Sequence, residues 1–99
     1  MLRQAVNYGY EEGFRAGQAD REDGWGFNYK DSYAYRDASY GYIGYYVDRS
    51  DYSYYFREGF RRGYEDGYNS RYQYGRSYNG SYSILDVILS QILNFQSIR

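Results

Sequence analysis

Tyr10-Glu11-Glu12-Gly13-Phe14-Arg15-Ala16-Gly17-Gln18-Ala19-Asp20 and Phe56-Arg57-Glu58-Gly59-Phe60-Arg61-Arg62-Gly63-Tyr64-Glu65-Asp66 are two versions of one segment. Glu, Gly, Phe, Arg, Gly and Asp coincide at a constant offset of 46, six identities in eleven positions. The glycines extend further, as Gly9, Gly13 and Gly17 in the first copy and Gly59, Gly63 and Gly67 in the second. A spacing of four lines such residues along one side of a helix. Each glycine costs up to about 1 kcal/mol against alanine in a helix interior. A compensating contact is therefore expected, namely a flat groove that admits another backbone or an aromatic ring. Glu12–Arg15 and Glu58–Arg62 have the spacing of helical neighbours and favour the helix. In membranes the same glycine spacing marks close helix crossings. The flanking Glu, Arg and Asp exclude a membrane span here, so only the geometry transfers.

Composition explains why a helix pair would need this device. The 99 residues include 18 Tyr, 12 Gly and 5 Phe, with no Pro, Cys or His. Before residue 84 the aliphatic residues beyond alanine are only Leu2, Val6, Ile43 and Val47. A core in this part of the chain must be aromatic, and each buried tyrosine hydroxyl needs a partner. Tyr10, Phe14, Phe56, Phe60 and Tyr64 are expected to fill the seam between the helices. Gly9, Gly13, Gly17, Gly59, Gly63, Gly67, Phe14 and Phe60 are the candidate helix-packing residues.

The rest of the chain arranges itself around the repeat. Residues 20–50 read as a long aromatic loop that folds over the pair with Trp25, Phe27 and Tyr35. Asp31 or Ser32 is a candidate cap for a short helix that Gly41 would end. Residues 69–82 are rich in Asn, Ser, Gly and Tyr and read as a linker or mobile loop. Ser83-Ile84-Leu85-Asp86 resembles a capping box with Asp in place of Glu. Leu85, Ile88, Ile92 and Phe95 then follow a 3-4-3 spacing that Leu89 and Leu93 widen. The expected fold is mostly α. Two antiparallel Gly-spaced helices, near 4–19 and 51–69, carry a long loop between them, and a short amphipathic helix over 84–97 follows. Residues 1–82 form the repeat module, with copies at 8–20 and 54–66, and 83–99 form the terminal segment. That terminal stripe either docks within the chain or pairs with its copy in another chain. Leu85, Ile88, Leu89, Ile92 and Phe95 are the candidate oligomerisation residues.

These residues resemble an uncharacterised family of small Gly/Tyr/Arg-rich bacterial proteins, found among acidobacteria and other soil bacteria. The family pattern begins with G-x-x-x-G-x-x-D-x-x-x-G-x-x-F, seen here as Gly13, Gly17, Asp20, Gly24 and Phe27. It continues as Tyr35-Arg36-Asp37-Ala38 with Gly41-Tyr42, then Phe56-Arg57, Phe60, Gly63-Tyr64 and Gly67-Tyr68. The resemblance covers roughly residues 8–68 and implies a fold unit without an assigned activity. It also implies export or a cell-surface location, although Met1–Asn7 has no apolar segment of the signal-peptide kind. The Ile/Leu tail departs from the pattern.

Charge and chemistry narrow the function. Twelve basic residues, eleven of them Arg, face thirteen acidic ones. Non-specific nucleic-acid binding usually shows a basic excess, so no nucleic-acid partner is expected. Without Cys or His, the commonest nucleophile–base couples are missing, and no enzyme activity is expected. The carboxylate neighbours Glu11–Glu12 and Glu65–Asp66 do not face each other on a helix. Asp20, Glu22, Asp23, Asn28 and Asp31 supply oxygen ligands in one window, but Trp25 stands where a calcium loop needs Gly. No metal and no cofactor are expected, and Asp20 and Asp66 are read instead as partners for Tyr, Arg or a backbone N–H. No apolar run is long enough to span a bilayer. The leading expectation is a structural or interaction module that self-associates through Tyr/Arg contacts as a homo-oligomer or filament. The alternative is a glycan- or cell-wall-binding module that stacks polysaccharide on exposed tyrosines, with Tyr40–Tyr46 and Tyr52–Phe56 as its clusters.

Overall fold

The computed structural model describes residues 2–44 and 47–97, with side chains as far as Asn94. It is mostly helical. Helix α1 (Leu2–Glu22) leads through a 3-10 turn (Tyr29–Asp31) and the short α2 (Tyr33–Asp37) to α3 (Arg49–Tyr68). Strands β1 (Gly75–Tyr78) and β2 (Ser81–Ile84) form an antiparallel hairpin, and α4 (Asp86–Ser97) follows.

The glycines determine how α1 and α3 meet. A Cβ added at Gly59, Gly63 or Gly67 would collide with the carbonyl oxygens of Val6, Tyr10 and Phe14, respectively. A Cβ at Gly9, Gly13 or Gly17 would collide with those of Phe56, Phe60 and Tyr64. All six glycines thus stand at one interface where backbone touches backbone. Both series of contacts climb in the same direction, so the two helices are parallel, not antiparallel. Residues 23–48 make this possible. At about 3.3 Å per extended residue they can return the chain along a helix about 30 Å long. Short connections force antiparallel neighbours, whereas long ones permit parallel neighbours.

The contacts are reciprocal: Gly9 faces Phe56 as Gly59 faces Val6, and Gly13 faces Phe60 as Gly63 faces Tyr10. The local two-fold therefore equates residues 50 apart, one helical turn away from the best sequence alignment. A pattern that repeats every four residues matches itself at several one-turn shifts. Packing selects the shift in which three glycines face three carbonyls.

The aromatic rings flank this seam and do not fill it. In both helices an aromatic follows the glycine, as in Gly9-Tyr10, Gly13-Phe14, Gly59-Phe60, Gly63-Tyr64 and Gly67-Tyr68. The two-fold sends these rings to opposite sides of the pair, and a different segment covers each side. On α3, Tyr52, Phe56, Phe60, Tyr64 and Tyr68 form a stacked ladder with successive centroids 6.0–6.3 Å apart. The connection covers it between residues 27 and 42: Phe27 meets Tyr64 and Tyr68, Tyr35 meets Phe60, and Tyr42 meets Tyr52. Trp25, expected in this cover, is 67% exposed. On α1, Phe14 stacks on Tyr82 at 4.0 Å and on Tyr72 at 5.4 Å.

The segment expected as a linker is the hairpin. Asn79 and Gly80 have φ of 51° and 81°, the left-handed pair of a two-residue turn that matches strand twist. α1 closes the outer edge of β2. Glu11 accepts the Tyr82 N–H at 3.0 Å, and Asn7, one turn earlier, accepts the Ile84 N–H at 3.0 Å. The capping box expected at Ser83–Asp86 does not form, because Ser83 is paired with Arg76 in the hairpin. The Leu85 carbonyl instead accepts the Leu89 N–H to open α4. Ile84, Leu89 and Ile92 join the core.

Candidate functional site

Tyrosine hydroxyls tie the covering segments to the helix pair. Tyr52 donates to the Tyr40 carbonyl at 2.5 Å, and Tyr68 donates to the Trp25 carbonyl at 2.7 Å. Tyr64 donates to Asp20 Oδ2 at 2.5 Å and accepts the Asn28 N–H at 3.2 Å. Tyr10 donates to the fully buried Asp66 at 2.8 Å. Asp66 also accepts the Gln73 and Tyr74 N–H groups at 3.1 and 2.8 Å. It thereby holds the entry to the hairpin against the end of α3. Asp20 and Asp66 each accept a tyrosine from the opposite helix, which gives the two carboxylates equivalent structural work.

Burial makes Tyr10, Tyr52 and Tyr64 harder to ionise. It pushes Tyr64 and Tyr52 up to about 12, and Asp20 reinforces the effect on Tyr64. Burial and the Asp66 carboxylate raise Tyr10 as well. A phenol whose folded pKa lies above its unfolded value of about 10 contributes stability that is complete below pH 10. That contribution is lost as pH climbs from about 10 through the folded value. Far-UV circular dichroism across this range is expected to show cooperative alkaline unfolding beginning above about pH 10. A helix signal unchanged to pH 12 would contradict the placement of these hydroxyls.

Other tyrosines face outward. Tyr33 and Tyr78 are each 75% exposed, and Tyr40, Tyr54 and Tyr72 are also on the surface. Arginine already meets tyrosine within the chain. Arg15, Arg21, Arg57 and Arg62 lie over Tyr82, Tyr68, Tyr35 and Tyr74, at 5.0 to 5.9 Å from the ring centroids. Such contacts contribute on the order of 0.5–1 kcal/mol at exposed sites.

The candidate oligomerisation residues divide. Leu89 and Ile92 are buried within the chain, Leu85 and Ile88 are half-buried, and the Phe95 side chain lies outside the described side chains. Among the described side chains of α4, the exposed apolar one is Val87, which the 3-4-3 spacing did not include. Of the glycan clusters, Tyr40 is exposed while Tyr52, Tyr55 and Phe56 are core, and Tyr45 and Tyr46 lie outside the described residues.

A concave site at the end of α1 carries polar and aromatic groups together, as does a hollow of about 320 Å³ lined by Tyr54, Glu58, Arg62, Gln91 and Ile92. A cleft of about 310 Å³ is lined by Asp20, Trp25, Gly26, Phe27, Asn28 and Asp31. A second hollow of about 170 Å³ shares Asp20, Trp25 and Asp31 and adds Ser32. Local folding builds the site. The chain leaves α1 through Gly24 at φ 75°, and the Trp25 N–H returns to the Asp20 carbonyl at 2.8 Å. Asn28 Nδ2 donates to Asp31 Oδ2 at 2.9 Å. Three of the five oxygen-bearing residues of the sequence window therefore converge on Trp25, while Glu22 and Asp23 lie exposed at the end of α1. Among the described residues, no three acidic side chains come together as a metal site, and no helix is long and apolar enough to cross a membrane.

No protein-family model, curated protein or solved structure matches the chain.

Proposed function

We propose that the chain is a non-enzymatic interaction module that associates with copies of itself through displayed tyrosine and arginine side chains. The observation that carries this reading is the division of labour among the tyrosines. Tyr10, Tyr52, Tyr55 and Tyr64 build the core, whereas Tyr33, Tyr40, Tyr54, Tyr72 and Tyr78 are left at the surface beside exposed arginines such as Arg36, Arg71 and Arg76. The four guanidinium-over-ring contacts within the chain supply the chemistry that copies would repeat between them. Each contact is weak, so association requires several at once and is steeply concentration-dependent. With Leu89 and Ile92 engaged in the core, the terminal helix adds Val87 and its half-buried rim and not a full apolar stripe.

Sedimentation velocity from micromolar to millimolar chain tests the proposal. The expected result is a mass that rises with concentration, with the midpoint moving up about tenfold in the double variant Tyr33→Ser/Tyr78→Ser. A single-chain mass throughout the range would refute it.

A further inference from the structure

We propose that the Trp25 cleft binds an organic cation, a guanidinium or alkylammonium group, independently of self-association. The groups that line it share one electrostatic sign. Asp20 presents Oδ1, since Oδ2 holds Tyr64. Asp31 presents Oδ1, since Oδ2 holds the Asn28 amide. Neither carboxylate has an ion-pair partner among the described residues. The cleft also sits at the C-terminal end of α1, where the helix dipole is negative. Trp25 adds an indole, the aromatic group that attracts cations best.

The nearby positive charges do not neutralise the cleft. Arg21 is held over the Tyr68 ring at 5.0 Å. Lys30 is exposed and is not among the lining residues. The donors in the cleft carry no charge. The Asn28 N–H is committed to Tyr64 and one of its two side-chain amide hydrogens to Asp31, so neutral donors such as the second amide hydrogen and the Ser32 hydroxyl remain. A neutral sugar would use these donors, whereas two carboxylates beside a π-face favour a group that carries positive charge. The Tyr64 hydroxyl bond to Asp20 and the Tyr68 hydroxyl bond to the Trp25 carbonyl fasten the Asp20 side chain and the Trp25 backbone to the α3 ladder.

Trp25 is the only tryptophan, so its emission reports on the cleft alone when excited selectively. The full chain is titrated separately with N-acetyl-arginine amide, with choline and with the neutral oligosaccharide cellopentaose. The expected result is a saturable change with a cation at millimolar concentration and none with the oligosaccharide. Affinity is expected to fall about tenfold in Asp31→Asn and again on raising salt from about 20 to 200 mM. Asp31 is exposed and, among the described residues, its side chain hydrogen-bonds to Asn28 alone, so this variant keeps the fold, as circular dichroism would verify. A response to cellopentaose that cations do not compete away would overturn the proposal in favour of glycan binding. A cation response unchanged in Asp31→Asn, or no saturable response to either cation, would also overturn it. Sedimentation at the titration concentration separates this outcome from self-association, because filling the cleft requires no change in mass.

Discussion

Gly63→Ala is expected to destabilise the chain by about 3 kcal/mol, although alanine is the better helix former. Propensity alone would stabilise α3 by about 1 kcal/mol. The added methyl, however, would be placed inside the carbonyl of Tyr10, with the Phe14 amide nitrogen 2.9 Å away. Both obstacles are backbone, so no side chain can rotate aside. The helices must separate, and separation loosens the neighbouring contacts of Gly59 and Gly67 along with it. For a chain of this length each kcal/mol moves the melting temperature by roughly 4–8 °C, so a drop of roughly 12–24 °C is expected. Gly26→Ala is the control. A Cβ there meets nothing within 4 Å, and its effect should stay within about 0.5 kcal/mol. Thermal denaturation of the two variants checks both statements. Equal melting temperatures would remove the argument that the glycines are there for contact.

Asp66→Ala is expected to cost about 4 kcal/mol, the larger part of a small domain's stability. The carboxylate is fully buried and serves three donors: the Tyr10 hydroxyl and the N–H groups of Gln73 and Tyr74. Its removal strands the Tyr10 hydroxyl in the core, where an unsatisfied buried group costs about 1–3 kcal/mol, and takes the acceptor from the two part-buried N–H groups as well. Tyr10→Phe removes one donor and leaves two, so a loss of about 1–2 kcal/mol is expected. Denaturant titrations of the two single variants and the double variant form a cycle. Because the two groups share a contact, the double variant should be more stable than the sum of the single losses implies. Strict additivity would mean that the Tyr10–Asp66 bond contributes nothing of its own. The same lock explains Gly75. A Cβ at that position would press on the Tyr10 ring and hydroxyl, so the hairpin can approach α1 only where the strand carries no side chain.

The helices were legible because their information is local. Glycines four apart, aromatics beside them and charge pairs at helical spacing all lie within a few turns of chain. The direction of the second helix was not legible in the same way. Gly9, Gly13 and Gly17 present the same notched face to a parallel or an antiparallel partner. The choice depends on the path of residues 23–48, which is set by Phe27, Tyr35 and Tyr42 seating on rings far along the chain. The hairpin did carry a local signal in Asn79-Gly80. The flanking strands are short, exposed and polar, and this composition pointed to a linker. Ser83 illustrates how pairing overrides a cap: a residue suited to open a helix is held by Arg76 as a strand residue.

The cleft was half legible. Asp20, Asn28 and Asp31 stood out as oxygen donors, and a metal was the reading weighed for them. That they surround Trp25 follows from the turn at Gly24 and the hydroxyl of Tyr64, one local and the other 44 residues away. The tyrosines divide between core and surface according to the two-fold of the glycine pair. The aromatic residues that follow a glycine on α1 and α3 are carried under a covering segment, whereas Tyr33, Tyr40, Tyr72 and Tyr78 of the covering segments remain in solvent.

Everything above rests on α1 and α3 running side by side in the same direction. The chain has no cysteine, so spin labels can be attached at introduced exposed sites without background. Pulsed dipolar spectroscopy on Gln4→Cys/Asp51→Cys and on Gln18→Cys/Asp51→Cys compares the two ends of α1 with the start of α3. Gln4 and Gln18 lie about 21 Å apart along their helix. A parallel pair gives the shorter distance for Gln4 with Asp51 and the longer for Gln18 with Asp51. The reverse order would mean that the helices are antiparallel and that the glycine interface described here is wrong.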